Sequence, residues 1–365
     1  MMRTCCAALA VMMIVVLQAN NIAAQEVQWH AATDFEVEGK GWADTAEPFD
    51  RLPDAVKAKV TPAVWGLSKH SAGIAIRFAT DANTVNARWS VTSDSLAMPH
   101  MPATGVSGVD LYVRTAKGDW RFVGNGRPHK KEGNVATFRL PGNDKTLQEC
   151  LLYLPLYNGT KSLEIGVAEG ARLEKAAPRP AELQKPVVVY GTSIAHGGCA
   201  SRPGLAWPTI LGRWLDRPVI NLGFSGSGRM EPPVGEVLAE IDASAFVIDC
   251  IWNMGDLSQD EYTKRITELV QAIRKAHPQT PIVFVGQSHI DVARHPTDFT
   301  RRQEAAVETL KKAGVEGLVV VPGDDLVGDD GEGTVDGVHP NDLGMDRQAR
   351  VLLPVMRDVL KTAKQ

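Results

Sequence analysis

The sequence predicts an all-β unit followed by a three-layer α/β unit built on a parallel sheet. Three observations carry this. The chain has 365 residues, too long for one small core. Its front half consists of short runs of alternating apolar residues separated by turn signals. Its back half alternates near-continuous apolar strands with amphipathic helices.

The elements follow in order. Met1 to Arg3 carry a positive charge, Cys5 to Leu17 form an apolar run, and small residues stand at Ala23 and Ala24. This is the layout of a secretory signal peptide spanning 1–24, cut near Ala24. A run of about 13 residues falls short of the roughly 20 needed to cross a bilayer. No cysteine follows the run to take a lipid, so a secreted or periplasmic mature protein with no membrane span is expected.

An N-terminal β unit is expected over 25–176. Strands are read at Gly73 to Thr80, Val85 to Val91, Val109 to Thr115, Trp120 to Gly124 and Ser162 to Val167. Turns are read at Gly124 to Gly126, Pro141 to Asp144 and Tyr157 to Thr160. Many short strands at regular spacing indicate a sandwich or barrel. Asn158-Gly159-Thr160 is also a glycosylation sequon, but an Asn-Gly hairpin turn is the preferred reading.

The Pro- and Ala-rich stretch Glu174 to Pro186 marks the boundary to a second unit over 177–365. There, strands are read at Val187 to Tyr190, Val219 to Leu222, Phe246 to Trp252, Ile282 to Val285 and Leu318 to Val321. Helices are read near Ala206 to Leu215, Val234 to Ile241, Gln259 to Ala276 and Thr300 to Ala313, with a last one from about Leu343. Near-continuous apolar strands between helices are those of a parallel sheet covered on both faces.

Composition excludes several classes. Hydrophobic content of 44%, charged content of 22% and a formal net charge of −4 describe an ordinary globular protein with no basic block for nucleic acid. Cys150, Cys199 and Cys250 remain after the leader, so at most one internal disulfide can form. No Cys-x-x-Cys or His-Cys cluster has metal-ligand spacing, so neither metal nor cofactor is expected.

Ligands of open parallel sheets bind beyond the carboxyl ends of the strands. Gly191-Thr192-Ser193 follows the first strand of the back half. Ser193 is either a helix cap or a nucleophile presented at a strand end. "GFSGSG", Gly223 to Gly228, follows the second strand, and its glycines either aim N–H groups at an oxyanion or form a turn. Asn253 follows the third, with an amide able to donate to an oxyanion or to satisfy a loop. Asp336 and His339 stand three apart before the last helix, where one turn can join carboxylate and imidazole. His196 and Arg202 lie near enough to Ser193 to line a pocket. Trp29, Trp42, Trp65, Trp207 and Trp214 read as core before they read as sugar platforms.

Taken in order, Ser193, Gly226, Asn253 and Asp336-x-x-His339 resemble the motif blocks of the SGNH (GDSL-type) hydrolases over about Pro186 to Gln365. The front half, with "SGVDLYVR" and "LLYLPLYNG", resembles the GxDLY-type β-sandwich domain fused to some of these enzymes. The resemblance implies a flavodoxin-like α/β/α domain behind a jelly-roll-like sandwich. It implies a Ser193–His339–Asp336 triad, with an oxyanion hole from the N–H groups of Ser193 and Gly226 and the amide of Asn253. It further implies an esterase acting on acetyl or other acyl esters, on polysaccharides or on small acyl compounds including thioesters. Two departures stand out: Thr192 replaces the family's aspartate, and Ile251-Trp252-Asn253-Met254 replaces Gly-x-Asn-Asp. A non-catalytic carbohydrate-binding protein is the contrasting reading.

Overall fold

A computed structural model describes residues 26–142 and 145–362. The candidate leader, 1–24, lies outside the described residues. The front half forms two antiparallel sheets. One orders Val27–Ala31, Thr160–Ala168, Thr84–Val91 and Asn134–Arg139. The other orders Leu173–Lys175, Ala75–Thr80, Gln148–Tyr153, Val109–Arg114 and Trp120–Gly126, with Glu36–Glu38 also paired to Ala75–Thr80.

The expected alternation builds the sandwich core. Val85, Ala87, Trp89 and Val91 point inward from one strand while their neighbours stay half-exposed. Ile76, Phe78, Leu111, Val113, Cys150 and Leu152 meet them from the facing sheet. That facing sheet is buried on its outer face too, where Tyr112, Leu151 and Tyr153 pack together and Tyr112 abuts Gly204 of the α/β unit.

The back half carries a five-stranded parallel sheet ordered Val219–Gly223, Val187–Gly191, Ala245–Asp249, Ile282–Val285, Leu318–Val321. In chain order this is 2-1-3-4-5, the flavodoxin-like arrangement. Its chain reversal falls between the first and third strands, so the segments after Gly191 and Asp249 flank the switch point. Helix Gln259–Ala276 matches its expected span. Ser258 caps it by accepting from Glu261 N at 3.2 Å, and Tyr262, Ile266, Leu269, Val270 and Ile273 turn inward.

Several local expectations are corrected. The strand read as Phe246 to Trp252 ends at Asp249, because Cys250 turns into a 3₁₀ segment, Ile251–Met254. Gly124 to Gly126 continue a strand instead of turning. Asn158 makes no hairpin, since the strands on either side belong to different sheets. Its side chain is buried and bonded to Ser93 N, Ser93 O and Ser107 Oγ, which leaves no amide for a glycan. Glu174 and Lys175, read as linker, lie in the last strand of the sandwich. Trp207 is core as expected, while Trp42 and Trp65 pack on the α/β core instead of the sandwich. The three cysteines 150, 199 and 250 are buried and free. Among the described residues no helix is long and apolar enough to cross a membrane.

Candidate active site

Ser193 opens a one-turn helix, Ser193–His196, at the end of the first parallel strand. Thr192 caps that turn, its hydroxyl accepting from Ile194 N at 3.2 Å. Threonine therefore fills the role that an aspartate side chain could take at the same cap. As the first residue of the turn, Ser193 has an N–H outside the helical ladder.

The loop after the second strand presses against this turn. A Cβ at Gly223 would lie 2.1 Å from His196 N, and one at Gly228 would lie 1.9 Å from Gly191 O. Only glycine permits that approach. Gly226 has φ +67° and open space beside it. Its N–H meets no acceptor among the described residues. Asn253 sits in the 3₁₀ turn after the third strand and donates through Nδ2 to Gly228 O at 3.3 Å, which joins it to the same loop.

The C-terminal loop delivers the other two groups. Val335 N bonds His339 O at 2.9 Å, closing a tight loop around Gly337, whose φ is +87°. Inside it Asp336 Oδ1 accepts from Val338 N at 3.0 Å and His339 N at 2.8 Å. Asp336 Oδ2 lies 2.7 Å from His339 Nδ1, and His339 Nε2 lies 2.8 Å from Ser193 Oγ. A proton on Nδ1 facing the carboxylate leaves Nε2 as the acceptor for the serine hydroxyl. Partial burial works against the Asp336 carboxylate, but the backbone and ring N–H groups of His339 outweigh it and hold it below the usual range. All five site residues expected from the sequence therefore lie in the segments that follow the carboxyl ends of the strands. Ser193, His339 and Asp336 form one hydrogen-bonded chain.

Neither His196 nor Arg202 faces the Ser193 site; Arg202 lines a separate cleft with Tyr112, Phe122, Arg213 and Trp214. His196 is fully buried, donates from Nε2 to Leu156 O at 2.7 Å and stacks on Tyr157 at 4.1 Å. Burial, with Arg51 and His70 nearby, drives its pKa well below the ordinary imidazole value. Arg202 binds Asp110 at 2.8 Å.

Four supporting residues escaped the sequence reading. Tyr157 donates its hydroxyl to Ser193 O at 3.2 Å. Arg51, buried, donates to Asn221 O at 3.0 Å and Gly223 O at 2.8 Å, directly before the glycine loop. Asp249 ends the third strand, and burial pushes its carboxyl up to about 8. His100 approaches His339 from the sandwich. Tyr157 lies in "LLYLPLYNG", and the other three lie in none of the blocks that carry the resemblance. Cys199 neighbours Asp336, and burial together with that carboxylate raises its thiol to about 11, so it stays protonated.

Comparison with known proteins follows this geometry. Residues 184–357 match the GDSL-like lipase/acylhydrolase family, and 27–173 match the N-terminus of SGNH-hydro-type esterases. Among curated proteins nothing matches. A solved structure named as a GDSL-like lipase from Bacteroides ovatus is 38% identical, with TM-score 0.81 over 92% of this chain and 98% of that one. A salicylyl acyltransferase of a tetracycline biosynthetic pathway is 19% identical, with TM-score 0.74 over 91% and 97%. A family two carbohydrate esterase from Cellvibrio japonicus is 11% identical, with TM-score 0.59 over 92% and 99%. The last two share the fold.

Proposed function

The chain belongs to the GDSL-like lipase/acylhydrolase family, and we propose that it is an exported serine esterase that removes acetyl groups from carbohydrates. The observation that carries the reading is the unbroken chain Ser193 Oγ–His339 Nε2, 2.8 Å, and His339 Nδ1–Asp336 Oδ2, 2.7 Å.

In this reading Ser193 Oγ attacks the ester carbonyl as His339 Nε2 takes its proton. Asp336 holds the ring in the required tautomer and stabilises the imidazolium. The N–H groups of Ser193 and Gly226 and the amide of Asn253 receive the oxyanion. His339 then protonates the leaving alcohol, and water repeats the sequence on the acyl-enzyme. Cleavage near Ala24 would release a sandwich over 25–176 and a catalytic unit over 177–365.

The carbohydrate substrate draws support from solved structures of like fold. These include family two carbohydrate esterases and an acetyl xylan esterase from Butyrivibrio proteoclasticus. The test is turnover of p-nitrophenyl acetate and acetate release from acetylated xylan by the mature chain beside Ser193→Ala. Turnover of both by the wild type alone supports the reading. Activity that survives Ser193→Ala rules the mechanism out, and a preference for octanoyl over acetyl esters rules out the acetyl substrate. Xylan binding with no turnover of either ester favours a carbohydrate-binding protein.

A further inference from the structure

The sandwich sends one segment to the mouth of the candidate site. Its root is tied where Asn158 Oδ1 accepts from Ser93 N at 3.0 Å and Asn158 Nδ2 donates to Ser93 O at 3.0 Å. Its tip is closed by Met98 N to Met101 O at 2.9 Å and Met101 N to Met98 O at 3.1 Å. Met101 is buried in the apolar cluster that also holds Leu156, Ile194 and Ala195. A turn bonded at both ends and anchored by a core methionine holds its two tip residues, Pro99 and His100, in place. His100 is exposed, and its ring centroid lies 6.4 Å from that of His339. Among the described residues no hydrogen bond occupies the His100 ring.

We infer that His100 is a specificity-determining residue that binds a hydroxyl next to the scissile ester on the alcohol half of the substrate. The inference rests on the esterase reading above. The oxyanion donors come from Ser193, Gly226 and Asn253, so the carbonyl oxygen faces the glycine loop. His339 returns its proton to the leaving oxygen, which places the alcohol half beside His339. Hydrogen bonds of about 3 Å each, from His339 to the leaving oxygen and from His100 to the hydroxyl on the adjacent carbon, can converge on two neighbouring oxygens when the path bends between rings whose centroids lie 6.4 Å apart. The substrate class is therefore a monoacetylated vicinal diol, as in a sugar ring with a free hydroxyl beside the acetyl group. The sandwich then sets selectivity, which neither unit would possess alone.

The experiment measures kcat/KM for a methyl xyloside monoacetate with its neighbouring hydroxyl free and for the same compound with that hydroxyl methylated. Wild type should prefer the free hydroxyl. His100→Ala should lower that preference about three- to tenfold, the loss of one hydrogen bond, and His100→Asn should restore part of it. A preference unchanged in His100→Ala overturns the role of His100. So does an equal loss on both substrates, which marks a structural residue. In either case Ser193-dependent turnover of p-nitrophenyl acetate leaves the esterase reading standing. Failure of the wild type on every ester removes both.

Discussion

Arg202 Nη1 lies 2.8 Å from Asp110 Oδ2 and 2.7 Å from the Tyr112 hydroxyl, so the Asp and Tyr of "SGVDLYVR" hold the segment that follows the Ser193 turn. Asp110 is fully buried and also accepts from Gly204 N at 2.8 Å and Asn125 Nδ2 at 2.7 Å. The Arg202 guanidinium lies 3.8 Å from the Phe122 ring centroid. Burial raises the Asp110 pKa against the pull of Arg202, so loss of the arginine leaves a costly carboxyl. Arg202→Ala should destabilise the protein by about 3–5 kcal/mol, measured by urea unfolding. Arg202→Lys should recover only part, since a lysine cannot stack on Phe122 while bridging both oxygens.

The chain Ser193–His339–Asp336 makes a graded prediction for activity. Ser193→Ala should reduce kcat on p-nitrophenyl acetate by roughly 10⁴-fold or more. Asp336→Asn should cost on the order of 10⁴-fold, because an amide can hold the ring in the wrong tautomer. Unfolding midpoints should stay near wild type for Ser193→Ala, which separates chemistry from folding.

In the proposed mechanism Asn253 and Gly226 share the task of receiving the oxyanion. Asn253→Ala should lower kcat about 10²- to 10³-fold with a smaller change in KM, because the interaction forms only as charge develops. A tenfold or smaller effect would place the oxyanion on the two backbone donors alone. Asn253 is the less regular block in sequence, since Trp252 and Met254 flank it. Its bond to Gly228 O nevertheless ties it to the loop of Gly226.

Arg51 connects the sandwich to the first residues of that loop, Gly223 and Phe224. It donates to Leu67 O at 2.7 Å and His70 O at 2.8 Å on its own side, and to Asn221 O and Gly223 O across the interface. Burial lowers its pKa to about 9, which still leaves it charged at neutral pH. Arg51→Met keeps most of the volume but removes the guanidinium donors from all four carbonyls, of which Leu67 O keeps His70 N. A loss of about 3 kcal/mol and a fall in kcat from a displaced Gly226 are expected, read by thermal unfolding and steady-state kinetics.

The parallel sheet was legible in the sequence for a physical reason. Buried strands and helix faces carry their periodicity locally. Of the proposed site residues, Ser193, Gly226 and Asn253 follow strand ends within a few residues, whereas Asp336 and His339 stand well beyond the last strand, Leu318–Val321. Helix Gln259–Ala276 was legible because Ser258, Glu261 and the last-turn Arg274 mark its ends. What stayed hidden depends on contacts far apart in the chain. Strand Gln148–Tyr153 is buried on both faces and so shows no alternation. Asn158 looks like a hairpin turn, yet it ties together residues about 50 to 65 positions away, the latter in the His100 segment. Arg51 and Tyr157 act across the interface between the units, and no local pattern encodes that.

The last prediction concerns Asp249, at the switch point beneath the Ser193 turn. It is buried, and its side-chain partners are Gln348, with Nε2 at 3.4 Å, and Trp207. Burial raises its folded pKa to about 8, above the roughly 3.9 of an unfolded aspartate. Between those values the folded protein keeps a proton that the unfolded chain releases. Stability from this group is therefore complete below about pH 4 and is lost as pH rises toward 8. His70 and His196 act oppositely. Burial depresses both, His70 to about 4, so their contribution is lost as pH falls below about 6.5. A comparison at matched pH cancels the histidines. From pH 6.5 to 8.5 the Tm of wild type should fall more steeply than that of Asp249→Asn, which cannot ionise, and the two curves should converge toward acid. Parallel curves would mean that Asp249 is already ionised in the folded protein.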